Sequence, residues 1–88
     1  MIKEAFLYRA LDAEAMGKLL KLKLRLKKIS ARDVARALSI STQTVYKWTS
    51  GSTIPSLENM VQLSAILEEP IESLIVYEEI APTGIPEN

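Results

Sequence analysis

Residues 29–51 read ISARDVARALSISTQTVYKWTSG. Their spacing predicts two short helices joined by a tight turn. Ser30 can cap the first, over Ala31 to about Leu38, by accepting a backbone N–H that the opening turn leaves unpaired. Val34, Ala35 and Leu38 form its inward face at spacings of three and four. Ser41 can cap the second, over about Thr42 to Thr49, with Val45 and Trp48 inward and Ile40 just before the cap. Thr42, Gln43, Tyr46 and Lys47 are left facing outward. Gly51 suits the position beyond the second helix, where a left-handed backbone ends the run.

Two such helices, with small polar groups on the leading edge of the second, make a helix-turn-helix. That arrangement places a helix N-terminus in the major groove of DNA. Residues 50–75, SGSTIPSLENMVQLSAILEEPIESLI, continue it. The whole resembles the Cro/lambda-repressor (XRE-type) class of helix-turn-helix domains. The family pattern has a serine-capped second helix, a short turn, a T-[IV]-x-x-W recognition helix ending near glycine, and a P-S-L opening of helix four. This chain carries Ser30, Ile40-Ser41, Thr44-Val45-Tyr46-Lys47-Trp48, Gly51 and Pro55-Ser56-Leu57 in that order. The resemblance runs from about Met16 to Ile75, some two thirds of the chain. It implies a mainly α, five-helix lambda-repressor-like domain. Three positions depart from the pattern: Ala31 stands where a bracing glutamine is common, Ser39 where the turn glycine sits, and Thr49 where an acid is usual.

The 88 residues suit one small domain. Without cysteine or histidine there is no disulfide frame, thiolate metal site or histidine general base, so neither metal nor cofactor is expected. The opening MIKEAFLYRALDAE has acids inside its apolar stretch and does not read as a signal peptide. No apolar run reaches membrane-spanning length, and a reducing cytoplasm, at the nucleoid, is the expected setting. The zero net charge hides segregation. Residues 18–47 hold nine bases against the single acid Asp33, a net of +8, whereas residues 48–88 hold seven acids and no base. A chain so divided should present one positive face, and that face includes the helix-turn-helix.

Asp12 can cap a first helix over about Ala13 to Lys27. Its run LKLKLRLKK alternates as a strand would, but every residue is a good helix former and none is β-branched, so a helix is expected. Met16, Leu20 and Leu24 share one face; Leu19, Leu22 and Leu26 make a second that needs a cover. Ser56 can cap a fourth helix, Leu57 to about Leu67, with Leu57, Met60, Val61, Leu63, Ser64 and Leu67 inward. Pro70 suits the first turn of a fifth, through about Leu74. The ends, AFLYRAL and SLIVYEEIA, are rich in aromatic or β-branched residues. They read either as a two-stranded antiparallel ribbon or as a helical or frayed N-terminus. The organisation expected is an extension over residues 1–12, the helix-turn-helix domain over 13–75, and a C-terminal extension and tail over 76–88.

Within the motif, Thr42 and Gln43 lie at the end of the second helix that comes closest to base edges. Gln can pair bidentately with adenine, and Thr can bond a base or touch a thymine methyl. Outside such a motif both would read as ordinary exposed residues. Lys47, one turn after Gln43, can read a guanine or grip a phosphate, and its flexible ammonium suits the phosphate better. Tyr46 reads equally as a sugar or methyl contact and as a surface aromatic. Ser41, Thr44, Ser50, Ser52 and Thr53 offer hydroxyls and backbone N–H groups of the kind that position phosphates, or that serve as caps and turns. Arg32 is placed for a phosphate; Trp48 reads as core.

The expected function is that of a sequence-specific regulator of transcription. It would bind double-stranded DNA, as a homodimer repressing from a palindromic operator. The rival is an antitoxin-like module that binds its own operator and also holds a protein partner, a toxin or co-regulator. An enzyme is not expected without His, Cys or a glycine-rich phosphate loop. The self-association surface expected is the two chain ends packed over the Leu19/Leu22/Leu26 face.

Overall fold

The computed structural model describes residues 8–80. The elements are β1 (Tyr8–Leu11), α1 (Ala13–Leu26), α2 (Ala31–Leu38), α3 (Thr42–Thr49), α4 (Leu57–Leu67), a single 3-10 turn (Ile71–Leu74) and β2 (Tyr77–Ile80). Every α-helix starts on the cap the sequence offers. Asp12 Oδ1 accepts from Ala15 N at 3.0 Å, Ser30 Oγ from Asp33 N at 3.0 Å, Ser41 Oγ from Thr44 N at 3.1 Å and Ser56 Oγ from Asn59 N at 3.2 Å. Asp33 returns the bond, its Oδ2 accepting from Ser30 N at 3.1 Å, which closes a capping box. The Ser30 backbone N–H, and then its hydroxyl, hold the Asp33 carboxyl below its ordinary range. Ile29 and Ile40, each just before a cap, pack against the core that contains Val34 and Val45, as hydrophobic staples do.

The core is one cluster. Met16, Leu20 and Leu24 of α1 meet Val34 and Ala35 of α2, Val45 and Trp48 of α3, Met60, Leu63 and Leu67 of α4, and Leu74 of the 3-10 turn. The alternating LKLKLRLKK run lies inside α1 up to Leu26.

The chain's two ends form the ribbon. β1 pairs antiparallel with β2, Tyr8 opposite Ile80 and Leu11 opposite Tyr77. Arg9 ties the strands by an ion pair to Glu79 at 3.0 Å and by lying 4.9 Å above the centre of the Tyr77 ring. Asp12 N donates to Val76 O at 2.9 Å and anchors the ribbon at the start of α1. Phe6, Leu7 and the tail 82–88 lie outside the described residues.

Three expectations need correction. The described residues hold four α-helices, not five: after Glu68 closes α4 in a left-handed conformation, Pro70 opens only four helical residues before Ile75 turns extended. A run that short closes one tight 3-10 turn. Second, Leu57 and Val61 do not face inward; they are 73% and 49% exposed. Met60, Leu63 and Leu67 already fill the contact arc of α4, and Leu57 and Val61 sit on its flank. Third, the ribbon leaves Leu22 and Leu26 exposed, at 47% and 72%.

The turn between α2 and α3 tests the glycine that Ser39 replaces. Ser39 has φ 58° and ψ 45°, the left-handed region that disfavours a side chain. Ser39→Gly is therefore expected to stabilise the domain by about 0.5–1 kcal/mol, the relief of strain exceeding the added freedom of the unfolded chain. Thermal melts followed by circular dichroism check it; a lower melting temperature would contradict it.

Candidate nucleic-acid interface

α3 is fixed from below and open above. Val45 is fully buried and Trp48 nearly so. Gln43, Tyr46 and Lys47 are exposed on the opposite side, with Thr42 half-buried beside them. Two glycines set how closely α3 rests on α1. A Cβ at Gly17 would lie 2.6 Å from Trp48 O and 2.7 Å from Thr49 O, so only glycine admits the end of α3 at this distance. Gly51, at φ 82°, turns the chain away after α3, and a Cβ there would lie 2.8 Å from Glu14 Cα. The outward face of α3 is thus presented by rigid backbone packing, which a site that reads a duplex requires.

The polar groups around α3 sort into two kinds. At its N-terminus Ser41 Oγ caps Thr44 N and lies 2.9 Å from Thr44 Oγ1. The N–H groups of Thr42 and Gln43, in the first turn, have no partner in the helix. At the C-terminus the sequence suggested free N–H groups around Ser50, Ser52 and Thr53. They are occupied instead: Ser50 N donates to Tyr46 O, and Ser52 N and Thr53 N both donate to Lys47 O, at 2.9 and 3.2 Å. Ser50 Oγ also donates to Lys47 O at 3.2 Å and lies 3.0 Å from Ser52 Oγ. These residues build the helix stop, and what they offer outward is side-chain hydroxyl. Arg32 is exposed on the first turn of α2.

A feature not legible in the sequence lies beside α3. Lys21 and Arg25 of α1, Ile29, Ala31 of α2, and Tyr46 of α3 line an open groove of about 280 Å³. Ala31 is the position where the family pattern often has glutamine, and its short side chain leaves this space. The i to i+4 spacing of Lys21 and Arg25 put them on one face of α1, but only the packing of α3 on that helix shows which face. Lys23 of α1 and Lys27 at its C-cap have a different fate. Lys23 pairs with Glu69, and Lys27 lies 3.8 Å from Glu68. The Lys23 hydrogen bond, and then the Ser73 hydroxyl, hold the Glu69 carboxyl below its ordinary value.

Among the described residues no cluster of side chains could hold a metal ion, and no helix is long and apolar enough to cross a membrane.

The arrangement agrees with known proteins. No curated protein matches the sequence. In structure the chain is similar to the restriction-modification controller protein C.AhdI from Aeromonas hydrophila, with a TM-score of 0.67 and 22% identity over 72% of this chain and 96% of that one. It is similar to the DNA-binding domain of BldD at a TM-score of 0.63 and 15% identity, over 74% of this chain and 94% of that one. It is also similar to part of HppE, solved in its CoII form with substrate, at a TM-score of 0.66 and 21% identity, over 74% of this chain but 36% of that one. At such identities the likeness is one of fold, and a fold alone does not fix function. The family profile is more specific: the helix-turn-helix model matches residues 20–74, which contain α2, the turn, α3 and α4 whole. The chain belongs to the helix-turn-helix family of the Cro/lambda-repressor (XRE) type.

Proposed function

We propose that this chain is a sequence-specific, double-stranded DNA-binding regulator of transcription, a repressor that acts as a homodimer on a palindromic operator in the cytoplasm. The observation that carries the reading is the exposed stripe of α3. Gln43 and Lys47 lie one turn apart on it, beside the unpaired N–H groups of Thr42 and Gln43, on a helix locked to α1 by Gly17. In this reading Thr42 and Gln43 meet base edges, and Lys47 and Arg32 meet phosphates. Tyr46 and the hydroxyls of Ser41, Thr44, Ser50, Ser52 and Thr53 line the contact. Selection of bound duplexes from a random pool tests it: a recovered consensus with two-fold symmetry is expected. Affinity for that consensus should also fall steeply between low and physiological salt, because counterion release is local to the phosphates neutralised even when net charge is zero. Recovery of unbiased sequences with a flat salt response would contradict it.

A dimer supplies the contacts one module lacks. Two copies would meet on the ribbon side of the molecule, since the ribbon does not cover Leu22 and Leu26. There Leu11 of β1 and Ile54, Leu57 and Ile75 border an apolar groove of about 170 Å³. Replacing Leu11 and Leu57, both more than half exposed, by lysine is expected to give a folded monomer that binds a half-site but loses the full-site advantage. Sedimentation reads the mass; an undiminished dimer would place the interface elsewhere. The antitoxin-like reading is favoured by one observation, the exposed Leu22 and Leu26, and co-purification with the product of a neighbouring gene would support it.

A further inference from the structure

The bases of α1 and of its C-cap, Lys27, divide in two, and the division follows the packing. Lys23 and Lys27 face the C-terminal acids and are paired with Glu69 and Glu68. Lys21 and Arg25 lie on the edge of α1 that borders α3, and among the described residues neither is in an ion pair. Lys18, exposed one turn earlier, continues the same stripe. Lys21 and Arg25 lie one turn apart on that edge, so an anion seated there meets both charges. Their groove is open, about 280 Å³, and its far wall is Tyr46, which flanks the outward stripe of Gln43 and Lys47 on α3. Ala31 at its end leaves room that a longer side chain would occupy.

We propose that Lys21 and Arg25 form a phosphate clamp for the DNA strand that flanks the groove entered by α3, so that α1 is part of the DNA interface. The inference rests on the DNA-binding reading above. The clamp takes a phosphodiester oxygen pair: the Arg25 guanidinium can meet two oxygens with parallel N–H bonds, and the Lys21 ammonium adds a point charge beside it. Tyr46 flanks the same phosphate through its ring and hydroxyl. Such a contact carries no base preference; it sets the register of α3 along the duplex. It also gives a use to the basic block outside the motif. Lys23 and Lys27 already have carboxylate partners in the protein, and the bases beside α3 are left for the duplex.

The test compares two double variants that remove the same charge. Lys21→Gln with Arg25→Gln, and Lys23→Gln with Lys27→Gln, are each checked for native melting. They are then titrated by fluorescence anisotropy with the duplex selected by the wild-type protein, across a salt series. The Lys21/Arg25 pair is expected to lower the slope of log affinity against log salt by about one to two units and to weaken selected and scrambled duplexes alike. The Lys23/Lys27 pair should leave the slope near the wild-type value. Restoring charge with Lys21→Arg in place of Lys21→Gln should recover part of the slope. Equal losses in both pairs would reduce the effect to net charge and overturn the clamp, as would a wild-type slope in the Lys21/Arg25 pair. If the wild-type protein itself binds no duplex, the DNA-binding reading falls and the clamp with it; the other two failures leave that reading intact.

Discussion

Gly17→Ala is expected to destabilise the domain by about 1–3 kcal/mol, the range for forcing an extra methyl into a packed interior. Helix propensity alone argues the reverse, since alanine in a helix interior is favoured over glycine by about 1 kcal/mol. Geometry decides between them. The added carbon would meet Trp48 O at 2.6 Å, Thr49 O at 2.7 Å and Gly51 N at 3.0 Å, all of them backbone atoms that no rotamer change can move aside. α1 and the end of α3 must separate, and Trp48 loses part of its packing. DNA affinity should fall together with stability, because α3 is presented by that contact. Chemical denaturation and a binding titration on the same sample read both. A more stable Gly17→Ala protein would show that the two helices can yield at low cost.

The second large effect separates reading from gripping. Gln43→Ala should cost about 1–3 kcal/mol on the preferred duplex and relax preference at one base position. Lys47→Ala should weaken all duplexes to a similar degree and lower the salt slope by about one unit. The contrast follows from position on α3. Both side chains are exposed and one turn apart, but Gln43 lies in the first turn, beside the unpaired N–H groups, while Lys47 lies in the last. Only the first turn reaches into a groove when a helix enters by its N-terminus. A quantitative binding assay on a panel of single-base variants distinguishes the two. Wild-type affinity and preference in Gln43→Ala would place the reading residues elsewhere.

What the sequence revealed was local. Asp12, Ser30, Ser41 and Ser56 each cap a helix three residues ahead, so the helix starts were written in short segments. Gly51 likewise stops α3 with a positive φ that its own type permits. The strained Ser39 was visible as the wrong residue at a turn that favours glycine. What remained hidden depends on distant partners. The ribbon of the two ends was one of two readings the sequence left open, and what decides it, the pairing of Tyr8 with Ile80, joins residues at opposite ends of the chain. Leu57 and Val61 satisfy an apolar pattern, yet α4 has only one arc against the core and three other residues fill it. Gly17 carries no local signal of its role, which is set by the backbone of α3 packed against it. In the same way the +8 block told how much positive charge there is, but only the contacts of Lys23 and Lys27 show which bases already face a carboxylate.

The central claim is that the outward face of α3 meets DNA. It is tested most directly by recording backbone amide resonances while the protein is titrated with the duplex it selects. The account predicts that the largest changes fall on Thr42, Gln43, Tyr46 and Lys47, with a second set at Lys21 and Arg25. Changes concentrated on Leu11, Leu57 and the ribbon, with α3 left unperturbed, would contradict it.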